Sequence, residues 1–243
     1  MRAHAVIPAR YDSTRFPGKP LALLGGRSMV EWVYEAAASC RHFERVVVAT
    51  DSDEIAACVH GFGGEVEMTR SDHATGTDRV AEVAERVPEA DVIANVQGDQ
   101  PFVTARMLEQ LLEPYLVGDI PEMTTLACPL DPRAAHDPNL VKVVCDRAGR
   151  ALYFSRAPIP HGVDGTAPFL HHLGLYAFRA EFLRVYSTLA ETQLERCERL
   201  EQLRALEHGY RIIVCRTEHA VLEVNTPEDL ERAQTLVAAR RAT

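Results

Sequence analysis

Residues 5–20, AVIPARYDSTRFPGKP, join two segments of opposite character, a short apolar run and a cationic loop. Val6 and Ile7 are β-branched and the run ends near Pro8, a pattern that predicts a buried strand. The loop beyond it holds Arg10, Arg15 and Lys19 against only Asp12, with Ser13 and Thr14 as hydrogen-bond donors. Pro17, Gly18 and Pro20 frame it. A compact cationic loop asks for an anionic guest, and phosphate is the first candidate.

Working outward, apolar runs alternate with segments of helical period. Residues 45–50 (RVVVAT), 65–68 and 91–96 (DVIANV) read as strands. Residues 29–38, 53–62, 77–87 and 104–115 read as helices. This alternation predicts an α/β fold with a mostly parallel sheet covered on both faces. Its ligand crevice would lie at the carboxyl ends of the strands. The cationic loop, Asp51 and Gln97-Gly98-Asp99 all follow such strands. The second half changes character, with strands expected at 124–130, 141–146, 150–155, 172–178 and 211–215. A hairpin turn is expected at Asp146-Arg147-Ala148-Gly149. Helices are expected at 181–188 and, as one charged segment, 195–208. Thr226-Pro227-Glu228-Asp229 signals a final helix start, with Thr at the N-cap, Pro at the first position and Asp at the third. One domain over 1–243 is expected, with a β-rich lobe inserted at about 120–195.

Composition narrows the function. With 243 residues, 47% apolar and 25% charged, the chain can bury a substantial core. A net charge of −9 argues against bulk nucleic-acid binding. No apolar run approaches the ~18 residues of a membrane span, and a cytoplasmic protein without membrane insertion is expected. Six scattered cysteines without a CxxC pair predict neither a disulfide framework nor a cysteine zinc site, and most read as buried apolar residues. Of 26 basic residues only Lys19 and Lys142 are lysine. Either chance explains this, or these two positions want a compact ammonium rather than a forked guanidinium.

The first loop matches neither GxxxxGK[ST] nor GxGxxG. It could wrap a triphosphate, or be a solvated surface loop. In Val96-Gln97-Gly98-Asp99, a carboxylate follows a buried strand and a glycine that admits close backbone approach. That suits a magnesium ligand, since Mg2+ is held by one or two carboxylates, water and substrate phosphates. A loop aspartate can equally cap a helix.

IPARYDSTRFPGKPL, MTRSDHATGTDRVAEV, NVQGDQP, PNLVKVV, ALYFSRAPIP, HLGLYAFR, LERCERLEQLR and NTPEDLE occur in that order from about residue 5 to 235. Together they resemble the CMP-Kdo synthetases, the 3-deoxy-manno-octulosonate cytidylyltransferases. The resemblance implies a Rossmann-like nucleotidyltransferase domain that transfers CMP from CTP to an acidic octulosonic sugar. Pyrophosphate would be released, for lipopolysaccharide synthesis. It implies Mg2+ as cofactor and a homodimer formed through the β-rich lobe, where Phe154, Ile159, Phe169 and Leu170 are candidate contact residues. Arg10, Ser13, Arg15 and Lys19 match the loop that holds the CTP phosphates, with Arg15 and Lys19 stabilising the leaving group. Arg70, Gly76 and Thr77 match the segment around cytosine and ribose. Asp99 matches the magnesium aspartate, with Gln97 near the sugar. Arg156, His172, Tyr176, Glu201 and Gln202 match the sugar pocket, with Arg156 facing the sugar's carboxylate.

Each of these has a plainer alternative. His172 and Tyr176 could be core residues with satisfied polar tips, and Glu201 and Gln202 a solvated helix face. His171 reads as exposed, and His73 as structural rather than a general base. One position departs from the family. Its final motif usually reads VDTPEDLE, with an aspartate that shares the metal, whereas this chain has Asn225. An amide oxygen can still ligate magnesium but brings no charge, and Asp229 lies too far along the helix to substitute. The other readings are a cytidylyltransferase for an 8-amino relative of the sugar, a sugar-phosphate nucleotidyltransferase, and a non-catalytic nucleotide sensor.

Overall fold

The computed structural model describes residues 1–12, 16–118, 120–162 and 167–241. Ser13 and Arg15 of the first loop lie outside the described residues. In chain order the strands are β1 (Ala3–Pro8), β2 (Leu23–Leu24), β3 (Arg27–Ser28), β4 (Phe43–Thr50), β5 (Glu65–Met68) and β6 (Val92–Asn95). They continue as β7 (Met123–Pro129), β8 (Lys142–Cys145), β9 (Ala151–Ser155), β10 (Leu170–Arg179) and β11 (Ile212–Arg216). The helices are α1 (Met29–Ala38), α2 (Asp53–Gly61), α3 (Gly76–Arg86), α4 (Ala105–Leu116), α5 (Ala180–Tyr186), α6 (Gln193–Glu198), α7 (Gln202–Glu207) and α8 (Pro227–Arg241). The fold is mixed α/β. The chain forms two compact units, Arg2–Leu108 with Val221–Thr243, and Glu109–Ala220.

The first, discontinuous unit holds four parallel strands in the order β6-β1-β4-β5. Ala3, Ala5, Val6 and Ile7 of β1 are buried, as befits a central strand with both faces covered. Helix α1 buries Met29, Val30, Val33 and Ala37 along one stripe. Helix α3 buries Val80, Val83 and Ala84 and opens on a reciprocal cap, in which Thr75 Oγ1 accepts from Asp78 N–H and Asp78 Oδ2 accepts from Thr75 N–H. The chain passes from β1 to β4 on one side and later returns to place β6 on the other. The order therefore reverses between β1 and β6, and a crevice forms beyond their carboxyl ends. Strands β2 and β3 pair as a hairpin whose two loop residues, Gly25 and Gly26, have φ of 59° and 87°. Both positions of such a turn need positive φ, which Gly-Gly supplies.

The second unit has the strand order β11-β7-β10-β8-β9, parallel only between β11 and β7. The pairing of β11 with β7 brings residues 212–216 into this unit. The β8–β9 turn forms where expected, closed by Asp146 N–H to the Arg150 carbonyl at 2.9 Å, with Gly149 at φ 77°.

The single helix expected over 195–208 is instead two, α6 and α7, broken at Arg199 with φ 54°. No glycine marks this break. Tertiary hydrogen bonds explain it, because Glu198 accepts from Ser155 Oγ (2.5 Å) and Arg156 N–H (2.8 Å), drawing the end of α6 onto β9. All six cysteines are free thiols, but only Cys40 and Cys128 are buried, and Cys197 is exposed. Among the described residues no helix is long and apolar enough to cross a membrane.

Candidate active site

A cleft in the first unit is lined by Pro8, Ala9 and Arg10 from the end of β1, Lys19 and Pro20, His73, Thr75, Gly76 and Arg79 around the start of α3, Gln97-Gly98-Asp99 after β6, and Asn225. The adjacent parallel strands β1 and β6 bring the first and fourth of these segments together. The approach is close at Gly98, where a Cβ would sit 3.1 Å from the Pro8 carbonyl oxygen, so a larger residue would push the two strand ends apart.

Lys19 is aimed by its turn. Gly18, at φ 67°, donates its N–H to the Tyr11 carbonyl at 2.9 Å and starts the short 3-10 helix Lys19–Leu21. The Lys19 ammonium then donates to Asp99 Oδ2 at 2.8 Å and to Asn225 Oδ1 at 3.3 Å. Asn225 is held from both directions. Val224 N–H donates to the Asp99 carbonyl at 2.9 Å, and Asp229 Oδ2 accepts from the N–H groups of Asn225 and Thr226 (3.1 Å each). Thr226 Oγ1 in turn accepts from Asp229 N–H, so the expected cap of α8 also fixes the residue before it. Behind Asn225 lies Glu223, whose Oε2 accepts from Asn225 Nδ2 (3.2 Å) and whose Oε1 accepts from Gln100 Nε2 (3.2 Å). Burial, and then the negative charge of Asp99, push the Glu223 carboxyl above its ordinary range. Sequence reasoning missed Glu223, because it precedes the recognisable motif and shows its part only through Asn225.

The remaining wall is anchored rather than free. Arg79 is buried; it pairs with Asp51 (3.3 Å) and hydrogen-bonds Thr69 Oγ1. His73 lines the cleft and pairs with Glu82. Burial raises the Glu82 carboxyl, but hydrogen bonds from His73 and the Arg70 N–H outweigh it and hold the carboxyl below its usual range. Two expected nucleotide residues take other places. The Arg70 side chain is exposed and pairs with Asp72 at 3.1 Å, and the buried Thr77 hydroxyl accepts from Asn95 Nδ2 at 3.2 Å. Neither side chain is part of the cleft lining, whereas Gly76 is. Gln97 lines the cleft and donates to Asn95 Oδ1 at 3.3 Å.

Of the expected sugar residues, Gln97 belongs to the first unit, and Arg156, His172, Tyr176, Glu201 and Gln202 lie in the second. The β7–β10 register slips between His172 and Tyr176, around Gly174 at φ 65°. The slip lets Thr125 Oγ1 donate to the Leu175 carbonyl at 2.7 Å. The hydroxyl has one proton, so His172 Nε2, at 2.9 Å, must be the donor to that same oxygen. Burial followed by His171 lowers the His172 pKa to about 3, which keeps the ring neutral with its proton on Nε2. His171, expected to be exposed, is buried as well. Burial and the Lys142 ammonium lower its pKa to about 4. Tyr176 OH donates to Gln202 Oε1 at 3.0 Å, and Gln202 Nε2 is buried with no hydrogen-bond partner among the described residues. A buried donor left unpaired is costly, and a ligand oxygen would relieve it. Glu201 sits at the start of α7, its carbonyl accepting from Tyr186 OH at 2.8 Å. The Arg156 guanidinium donates to the carbonyls of Glu198 (2.8 Å), Pro138 (2.9 Å) and Arg199 (3.4 Å), which ties it to α6 and its neighbouring loop. Lys142 is fully buried and its Nζ donates to the carbonyls of Asp137 (2.9 Å) and Arg156 (2.6 Å). Both lysines of the chain thus converge on pairs of oxygens.

A parallel α/β sheet with cations, a helix start and a carboxylate at its switch point suits a phosphate-bearing ligand, and the comparisons give the class, a cytidylyltransferase. A family model described as Cytidylyltransferase matches residues 4–212. The 3-deoxy-manno-octulosonate cytidylyltransferase of Acaryochloris marina (strain MBIC 11017) is 63% identical over 239 residues, covering 98% of this chain and 98% of that protein. The protein of the same name from Synechococcus elongatus (strain ATCC 33912 / PCC 7942 / FACHB-805) is 53% identical, covering 99% of this chain and 100% of that protein. A solved structure of CMP:2-keto-3-deoxy-manno-octonic acid synthetase complexed with CTP matches with a TM-score of 0.95 at 41% identity, covering 99% of this chain and 100% of that one. The chain belongs to the family of 3-deoxy-manno-octulosonate cytidylyltransferases, the CMP-Kdo synthetases.

Proposed function

We propose that the chain transfers the cytidylyl group of CTP to the anomeric hydroxyl of 3-deoxy-manno-octulosonate and releases pyrophosphate. The observation that carries this reading is the meeting of Lys19, Asp99 and Asn225 in a cleft lined also by Arg10 and Gly76. In-line displacement at phosphorus needs positioning and charge neutralisation more than a protein nucleophile. Arg10 and Lys19 supply positive charge for the triphosphate, with Arg15 as a further candidate from the same loop. The first turn of α3, at Gly76, offers backbone donors and its positive dipole end.

Asp99 and Asn225 are the residues that would hold Mg2+. They fit it, because two side-chain oxygens already converge on one cationic atom, the Lys19 ammonium, and oxygen ligands suit the ion. Bound there, Mg2+ supplies neutralising charge to the phosphates. Gln202, with its buried amide donor, and His172 and Tyr176 are the residues proposed to take the sugar. We place the reaction in the cytoplasm, where CTP is available, with its product going to lipopolysaccharide synthesis. A homodimer through the second unit is also proposed. Phe154 cannot serve in its interface, being fully buried, whereas Leu152 is 62% exposed and Ile159 and Phe169 are half-buried.

Pyrophosphate release with CTP and 3-deoxy-manno-octulosonate tests the reading directly. Release that requires both substrates supports it. CTP binding without any release would favour a nucleotide sensor, and preference for the 8-amino sugar or a sugar 1-phosphate would move the specificity.

A further inference from the structure

Asn225 lies between two partners with opposite demands. The Lys19 ammonium can only donate hydrogen bonds, and the Glu223 carboxylate can only accept them. With Nδ2 donating to Glu223 Oε2 at 3.2 Å and Oδ1 accepting from Lys19 at 3.3 Å, the amide satisfies both. Turned by 180°, it would set NH2 against NH3+ and oxygen against carboxylate. Glu223 is itself steadied through its other oxygen by Gln100 Nε2, and its neighbour Val224 is tied to the Asp99 backbone.

We propose that Glu223 is a positioning residue for the cation site: it locks the Asn225 amide with its oxygen facing Asp99 and Lys19, so that a neutral side chain serves where only an oxygen will do. An aspartate at 225 would not need this help, because both ends of its carboxylate are oxygen. Glu223 would then only repel it. The role of Glu223 therefore depends on what stands at 225, and this dependence is what sets a positioning role apart from a general charge effect. The inference rests on the Mg2+ reading above.

The test is a double-mutant cycle read by electron paramagnetic resonance titration of Mn2+ into the full chain without nucleotide. Glu223→Ala is expected to raise the Mn2+ dissociation constant about tenfold, the worth of one hydrogen bond to a charged group. In an Asn225→Asp background the same substitution is expected to leave the constant unchanged or to lower it. Glu223→Gln keeps an amide oxygen that can accept from Asn225 Nδ2, and is expected to raise the constant less than Glu223→Ala does. The magnesium midpoint of pyrophosphate release should follow the same pattern. Thermal unfolding without divalent cation verifies that each variant folds, and Glu223→Gln carries the test if Glu223→Ala does not. Equal weakening by Glu223→Ala in both backgrounds would reduce Glu223 to a source of negative charge and overturn the proposal. So would no change in the Asn225 background. Equal Mn2+ binding by the wild-type chain and Asp99→Ala would remove the cation site itself, a separate failure.

Discussion

Acid should unfold this protein through two histidines before most of its carboxylates are protonated. His171 and His172 are 8% and 5% exposed, with pKa values lowered from 6.5 to about 4 and about 3. The folded state keeps both neutral, while the unfolded chain protonates them as pH falls through about 6.5. The unfolded state then binds more protons, so stability falls as pH falls from about 6.5 towards about 4 to 3. At pH 5 each histidine costs about 1.4 kcal/mol for each of about 1.5 pH units, or about 2 kcal/mol. For the pair, about 4 kcal/mol is a large part of the ~5–15 kcal/mol that holds a typical domain together. His172→Gln should separate this contribution from the rest, since a glutamine amide can also donate to Thr125 Oγ1. Urea unfolding at pH 7 and pH 5 should show the variant losing about 2 kcal/mol less than wild type over that interval. Equal losses in the two proteins would mean that His172 titrates normally in the folded state, and that the neutral donor assigned to it is wrong.

Lys19→Met should weaken CTP binding by about tenfold to a hundredfold, the loss of one hydrogen bond between charged groups. Calorimetry would detect this, and undiminished binding would take Lys19 out of the nucleotide site. Light scattering at micromolar concentration should give about twice the 27.0 kDa chain mass if the second unit dimerises, and a monomer mass would rule the dimer out.

The parts of the fold legible in the sequence were those fixed by local pattern. Met29–Ala38 and Glu65–Met68 fall on their expected bounds, because an apolar stripe in the one and polar–apolar alternation in the other carry their own period. The cap at Thr226 was readable for the same reason, since Thr-Pro-x-Asp states its hydrogen bonds locally. The break at Arg199 was not, because LERCERLEQLR is made of good helix formers and what interrupts it is Glu198 bonding to residues over forty positions away. At the site, the segments were legible but the roles of single side chains were not. Arg70 is more conspicuous in sequence than Arg79, yet Arg79 is the one that helps wall the cleft, because α3 turns it inward to meet Asp51. Glu223 needed the structure, since nothing local links it to an amide two residues on.

The unit that bears Lys19, Asp99 and Asn225 is discontinuous, and this sets an order of events on the ribosome. Asp99 emerges early, while Asn225 follows only after the whole of Glu109–Ala220 has been made. At the usual pace of synthesis that interval is on the order of ten seconds. Throughout it the parallel sheet lacks α8, and the amide that completes the cluster has not yet been built. A nascent chain that has not yet reached Asn225 therefore has no finished cleft.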